Sequence, residues 1–242
     1  RREHRQQKMQ NDWRNFNAAG KKLKLRLNVH DGGVEVFYRK RHYVMSHVQM
    51  AVGIDTDRKM DIDMSMGGFG GTMIGDAISL NGTVDFQQNP EPECSLALVL
   101  YQIDPSSLGF GMNIHDKMTL STYFTGPVSH PIGTGKVEMD ELHIPGLDFA
   151  NVEGNVYYEN SLLQFTDVTA DVYKGKLAAY GDYDLDTRFY NLYGHGTALQ
   201  TESALPRSGL HTRVDLDLEI HSEGSAKSTV SSGSFLSGPG RY

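Results

Sequence analysis

The feature that most constrains this chain is an alternation of apolar and polar residues at a period of two, which recurs along almost its whole length. Successive side chains of a β-strand point to opposite faces, so the alternation gives each strand one apolar and one polar face. The first run sets Leu23, Leu25, Leu27 and Val29 against Lys22, Lys24, Arg26 and Asn28, and Val34, Val36 and Tyr38 continue it. Asp31-Gly32-Gly33 between them reads as a hairpin turn. Further runs are Val44, Val48, Met50, Val52, Ile54; Met60, Ile62, Met64, Met66; Ile78, Leu80, Val84, Phe86; and Leu96, Leu98, Leu100. Strands are expected again over 118–125, 136–142, 151–158, 162–170, 176–185, 188–194, 212–221 and 226–236.

Two stretches break the pattern. Asp104-Pro105 opens a short helical turn, with Asp104 as N-cap and Pro105 in the first helical position. In residues 1–20, Met9, Trp13 and Phe16 fall at helical spacing and Gly20 suits a C-cap, so a leading helix is expected there. The division expected is a helical segment 1–20 and a repeating β-region 21–242. The chain opens on Arg1-Arg2-Glu3 without Met and stops at Tyr242 within a strand pattern, so a longer protein truncated at both ends is expected.

Glycine is abundant, 26 residues against 8 prolines, and it recurs in one setting: Gly82, Gly154 and Gly181 each precede alternating apolar or aromatic residues, and Gly233, followed by Phe235-Leu236, fits the pattern less well. A Gly inside a strand marks a bend, a bulge or a close backbone approach. Gly154 and Gly181 are 27 residues apart in the sequence, the span of two strands with their turns. Glycines at one level of successive hairpins would curl the sheet.

Residues 1–50 carry 12 basic and 4 acidic residues within a chain of net charge −7. Much of that basic charge alternates with Leu on one strand, which makes a solvated face, and neither zinc-finger spacing nor an aromatic-basic motif points to nucleic acid. A single cysteine, Cys94, forms neither an internal disulfide nor a thiolate zinc site. The histidines make no HExxH motif, no G-x-S-x-G elbow is present, and Gly67-Gly68-Phe69-Gly70-Gly71 lacks the Lys of a phosphate loop and reads as a turn. Asp61/Asp63 and Asp215/Asp217 share a strand face in pairs, too few oxygens for a Ca²⁺ cage. A non-enzymatic protein without cofactor or metal is therefore expected.

Thr125-Gly126-Pro127-Val128-Ser129-His130-Pro131-Ile132-Gly133-Thr134-Gly135-Lys136-Val137, then Gly154-Asn155-Val156-Tyr157-Tyr158, then Ala170–Gly181 with Lys174-Gly175-Lys176-Leu177, resemble the AsmA-like superfamily. Its members repeat a G-x-x-x-x-P-x-x-G unit and Gly-bearing hairpins, and Gly126, Pro131, Gly133 or Gly135, Gly175 and Gly181 fall on those positions. The likeness covers roughly residues 23–240 and is strongest over 118–200. It implies an all-β fold: an elongated, antiparallel, repeating β-groove curled like a taco. It also implies a periplasmic place in a diderm bacterium, with an inner-membrane anchor and a site for an outer-membrane barrel partner in regions outside this chain. Phospholipid acyl chains would run along the groove between inner and outer membranes, in support of outer-membrane biogenesis and protein assembly.

On that reading the groove is lined by Val48, Met50, Val52, Met60, Ile62, Met64, Ile78, Leu80, Val84, Phe86, Leu96, Leu98, Leu100, Val137, Met139, Val156, Leu163, Phe165, Leu177, Tyr183, Val214, Leu216, Leu218 and Ile220. The flexible thioether of Met suits a surface that accepts variable acyl tails. The same alternation also fits a structural β-solenoid or adhesin-like stalk with a closed core.

Overall fold

A computed structural model describes residues 7–8, 11, 22–38, 41–69, 72–88, 90–108, 112–144 and 147–240. The expected leading helix, with Met9, Trp13, Phe16 and Gly20, lies outside the described residues. The strands are β1 (Lys24–Tyr38), β2 (Arg41–Asp55), β3 (Lys59–Phe69), β4 (Thr72–Asp85), β5 (Glu93–Ile103), β6 (Met118–Pro127), β7 (Ile132–Ile144), β8 (Leu147–Glu159), β9 (Leu162–Val172), β10 (Gly175–Asp184), β11 (Phe189–Gln200), β12 (Arg213–Glu223) and β13 (Val230–Ser237). They form one antiparallel sheet in sequence order, with β1 and β13 at its two open ends. The all-β antiparallel expectation is met.

The chain divides into two compact units, Arg1–Ile103 with Leu120–Gly135 and Asp104–Thr119 with Lys136–Tyr242. In the first unit, cross-strand pairing is set by the alternation, because a slip of one residue would turn each apolar set to the other face. Leu25, Ile54, Met60, Val84 and Cys94 are paired in succession across β1 to β5. Polar residues fill the alternate rows, such as Lys24, Asp55, Lys59, Asp85 and Glu93. Turns open on aspartates whose carboxylates accept backbone N–H groups two residues on: Asp55 from Asp57 and Asp85 from Gln87.

The hairpin turn expected at Asp31-Gly32-Gly33 is not there. β1 runs straight through it, and the pairing shifts twice, between Val29 and Gly32 and between Gly32 and Val34. Asp31 and, across the ladder, His47 both take positive φ (51° and 52°), and His47 Nδ1 lies 2.6 Å from Asp31 Oδ1. These are compensating bulges, one on each strand. Asp and Gly tolerate the left-handed region in a bulge as readily as in a turn, so residue type alone does not separate the two. Gly67, Gly68 and Phe69, read as part of a turn, belong to β3, while Gly70 and Gly71 lie outside the described residues.

The second unit repeats the design over β8 to β13. Met139, Val152 and Ala170 form a buried cluster with Ile114, Met118, Leu142, Phe149, Val168 and Leu177 packed on it. The short helical turn occurs as a 3-10 turn at Pro105–Leu108, and Asp104 Oδ1 accepts the Ser106 N–H at 2.8 Å. Residues 226–228, expected in a strand, form a second 3-10 turn capped by Ser225. Gly154 and Gly181 do not share a level: Gly154 sits beside Val168, whose partner is Ala179, whereas Gly181 pairs with Phe165 and Leu192 one row along.

Candidate functional site

The registers gather most of the predicted lining residues into continuous rows. In the first unit, Leu27, Val52, Ile62, Gly82 and Leu96 make one row and Val29, Met50, Met64, Leu80 and Leu98 the next. A further row is Gly32, Val48, Met66, Ile78 and Leu100. Val48, Ile78, Val84 and Leu100 are buried, and Met50, Val52, Met60, Ile62, Met64, Leu80, Phe86, Leu96 and Leu98 are half-buried. Exposure grades across the face, from 0% at Val48 to 43% at Leu27 and 47% at Leu25 on the edge strand. Among the described residues, this is an apolar face whose middle rows remain partly open.

Gly82 holds the middle row together. Its φ is +144°, and a Cβ there would strike the Ser95 carbonyl and stand 2.9 Å from the Leu96 Cα. Only glycine lets β4 and β5 approach this closely inside the apolar row.

In the second unit the rows are Val156, Phe165, Gly181, Leu192 and Ile220; Val168, Ala179, Gly194, Leu218 and Gly233; and Ala170, Leu177, Gly196, Leu216 and Phe235. Val137, Met139 and Val156 are buried, and Leu163, Phe165, Leu177, Tyr183, Val214, Leu216, Leu218 and Ile220 are half-buried. Leucines stand beside glycines here, so large side chains lie against bare backbone. Tyr158, Leu163, Tyr183 and Tyr190 form a row of mostly aromatic residues alongside, with the rings of Tyr183 and Tyr190 stacked at 6.2 Å.

The alternate rows are polar. Lys24 pairs with Asp55 at 3.2 Å and Lys59 with Asp61 at 3.0 Å. In the second unit Tyr180 and Tyr193 stack at 4.9 Å beside the His195–Asp217 pair (2.6 Å), along a shallow depression of about 1030 Å³. The Glu219 carboxylate, first by its charge, raises the Tyr193 phenol above its ordinary pKa.

Residues that the sequence pattern had not assigned to the face include Cys94, Leu192, Leu199 and Phe235. Cys94 extends the Leu96, Leu98, Leu100 alternation by one step, a signal that was present. Its thiol is buried, and burial pushes its pKa up, which leaves it unreactive.

Two serine–histidine contacts test the scope for nucleophilic chemistry. Ser129 Oγ donates to the buried Glu91 Oε1 at 2.7 Å and lies 2.7 Å from His130 Nδ1. With its proton directed at Glu91, the Ser129 hydroxyl accepts from His130 Nδ1, so the imidazole is the donor to Ser129 and not its base. Ser106 Oγ and Asp104 Oδ2 both address the same nitrogen, Nδ1 of His115, at 3.1 and 3.4 Å. A relay needs the two ring nitrogens separately. No group of three or more His, Cys, Asp or Glu among the described residues is placed to hold a metal.

No protein-family model, curated protein or solved structure matches this chain.

Proposed function

We propose that this chain is part of a non-enzymatic envelope protein whose apolar sheet face carries phospholipid acyl chains between the inner and outer membranes of a diderm bacterium. The observation that carries the reading is the set of apolar rows paired strand to strand, with half-buried Met, Leu and Ile in the middle rows and ion-paired residues on the opposite face. An acyl chain transferred from water to such a surface gains about 0.8 kcal/mol per methylene buried. The sequence likeness to the AsmA-like superfamily, nearest to the translocation and assembly module protein TamB, supports the same reading and supplies its place in the envelope. It also supplies the outer-membrane barrel partner, which would engage a region outside this chain.

The alternative, a β-solenoid or adhesin-like stalk with a closed core, fits less well. A solenoid stacks its coils, whereas here every strand pairs antiparallel with its sequence neighbours. Transfer of a fluorescent phospholipid between two vesicle populations tests the proposal. The chain accelerates transfer, Ile62→Asp or Leu98→Asp abolishes the acceleration, and Asp61→Asn leaves it intact; equal loss from both faces contradicts the proposal.

A further inference from the structure

We infer that the segment between β11 and β12 closes part of the second unit's apolar face into a pocket that holds one acyl chain, its headgroup left in water. The inference rests on reading the apolar face as a lipid-bearing surface and adds to it a discrete binding site with a defined stoichiometry. From β8 to β11 the connections are short: residues 160–161 join β8 to β9, 173–174 join β9 to β10, and 185–188 join β10 to β11. Between Gln200 and Arg213 the chain spends twelve residues, 201–212. An insertion of this length in a meander of tight hairpins calls for a physical reason.

The insertion is fixed by its own hydrogen bonds. Thr201–Ala204 forms one helical turn, and the Leu205 N–H returns to the Thr201 carbonyl at 2.7 Å. The buried Thr201 hydroxyl donates to the Leu210 carbonyl at 2.8 Å and accepts the Thr212 N–H at 3.0 Å. Thr212 Oγ1 donates to the Gly238 carbonyl at 3.0 Å, which ties the insertion to the chain beyond β13.

Behind it lies a pocket of about 570 Å³ whose apolar wall comprises Leu199, Leu205, Leu210, Val214, Leu216 and Phe235. The Thr201 and Thr212 hydroxyls already serve backbone carbonyls and Tyr173, Gln200 and Ser237 complete the polar part of the lining, so it is the leucine, valine and phenylalanine wall that answers a hydrocarbon. Ligand pockets of roughly 300–1,000 Å³ with mainly apolar walls are the usual sites of small-molecule binding. At roughly 30 Å³ for each water-sized group, the volume holds at most on the order of nineteen methylenes, which is one acyl chain and not two. Leu205 and Phe235 are 57% and 75% exposed, large apolar surface that a chain in the pocket would cover. Leu216 and Val214 continue into the rows of the sheet, so the pocket opens from the apolar face itself.

The test uses the 242-residue chain and 11-(dansylamino)undecanoic acid, whose emission rises and shifts to the blue in an apolar site, displaced by a series of single-chain lipids. Each added methylene strengthens displacement by up to about fourfold, with a plateau between about C16 and C20. Fatty acids, fatty alcohols and lysophospholipids of one chain length displace within threefold of one another, and two-chain phospholipids displace at least tenfold less well. Leu205→Glu, at an exposed position, lowers probe affinity at least tenfold, and Phe235→Ser does so at least threefold. Affinity independent of chain length, equal displacement by two-chain lipids, or unchanged probe binding by both variants overturns the pocket. If the pocket fails while phospholipid still transfers between vesicles, the pocket alone is refuted; if the probe binds as described but no transfer occurs, the transfer reading fails and the pocket stands.

Discussion

Truncating side chains at two positions of the first unit separates an open apolar face from a closed core. Val48 is 0% exposed, whereas Met64, at the centre of the five strands between Met50 and Leu80, is half-buried. At about 0.8 kcal/mol per methylene-sized group, Val48→Ala removes two groups and loses about 1.6 kcal/mol of transfer free energy. The void it leaves raises the cost to roughly 2–3 kcal/mol. Met64→Ala removes three such groups, but with up to about a third of the residue's surface already in water and no enclosed void the cost is about 1.5–2.2 kcal/mol. The smaller truncation thus costs at least as much as the larger one, by up to about 1 kcal/mol. Urea denaturation followed by far-UV circular dichroism, with each unit's transition resolved, reads both values. In a closed core Met64→Ala would cost about 2–5 kcal/mol, so a Met64→Ala cost above that of Val48→Ala refutes the open face.

Two further outcomes follow from local geometry. Gly82→Ala forces a side chain into a glycine-only conformation against the Ser95 carbonyl and costs about 1–3 kcal/mol, while Gly53→Ala, with open space around its Cβ position, is close to neutral; a thermal melt compares them, and equal melting temperatures contradict the packing described. His143 is raised above its ordinary 6.5 by the Asp116 carboxylate, first through their side-chain hydrogen bond at 2.8 Å, with Asp148 and Glu141 adding in the same direction. A raised folded-state pKa gives stability that is full below 6.5 and lost as the pH rises through the folded value. Asp116, lowered first by the His143 backbone N–H, contributes above its ordinary 3.8 and loses its share as pH falls through its folded value. The stability margin of the natural chain over His143→Gln is therefore widest between those limits and shrinks from pH 6 to pH 8, and a margin that does not change with pH contradicts the pairing.

The period-two rows were legible because each strand carries its own face assignment in its sequence: Leu25, Ile54, Met60 and Val84 meet across four strands with no long-range information needed to orient them. Where local chemistry admits two outcomes the sequence did not decide. Asp31-Gly32-Gly33 suits a turn or a bulge, and the choice was made by β2, whose own bulge at His47 restores the register. The levels of Gly154 and Gly181 depend on the bulges between β8 and β9, which shift the pairing without altering the spacing in the chain. The pocket behind residues 201–212 was invisible for a different reason. Leu205 and Leu210 lie in a segment without periodicity, and only the hydrogen bonds of Thr201 bring them over Leu199, Val214 and Phe235. Cys94 is legible too, since it continues the alternation of β5 one step before Leu96.

The central claim, that one face of the sheet carries acyl chains and the other meets water, is tested most directly by site-specific photo-crosslinking in cells. A photoreactive residue at Ile62, Leu98, Val156 or Leu216 is expected to capture phospholipid, identified by mass spectrometry of the adduct, while the same residue at Asp61 or Asp215 captures none. Equal labelling from both faces, or no lipid from the four apolar positions, would contradict the account.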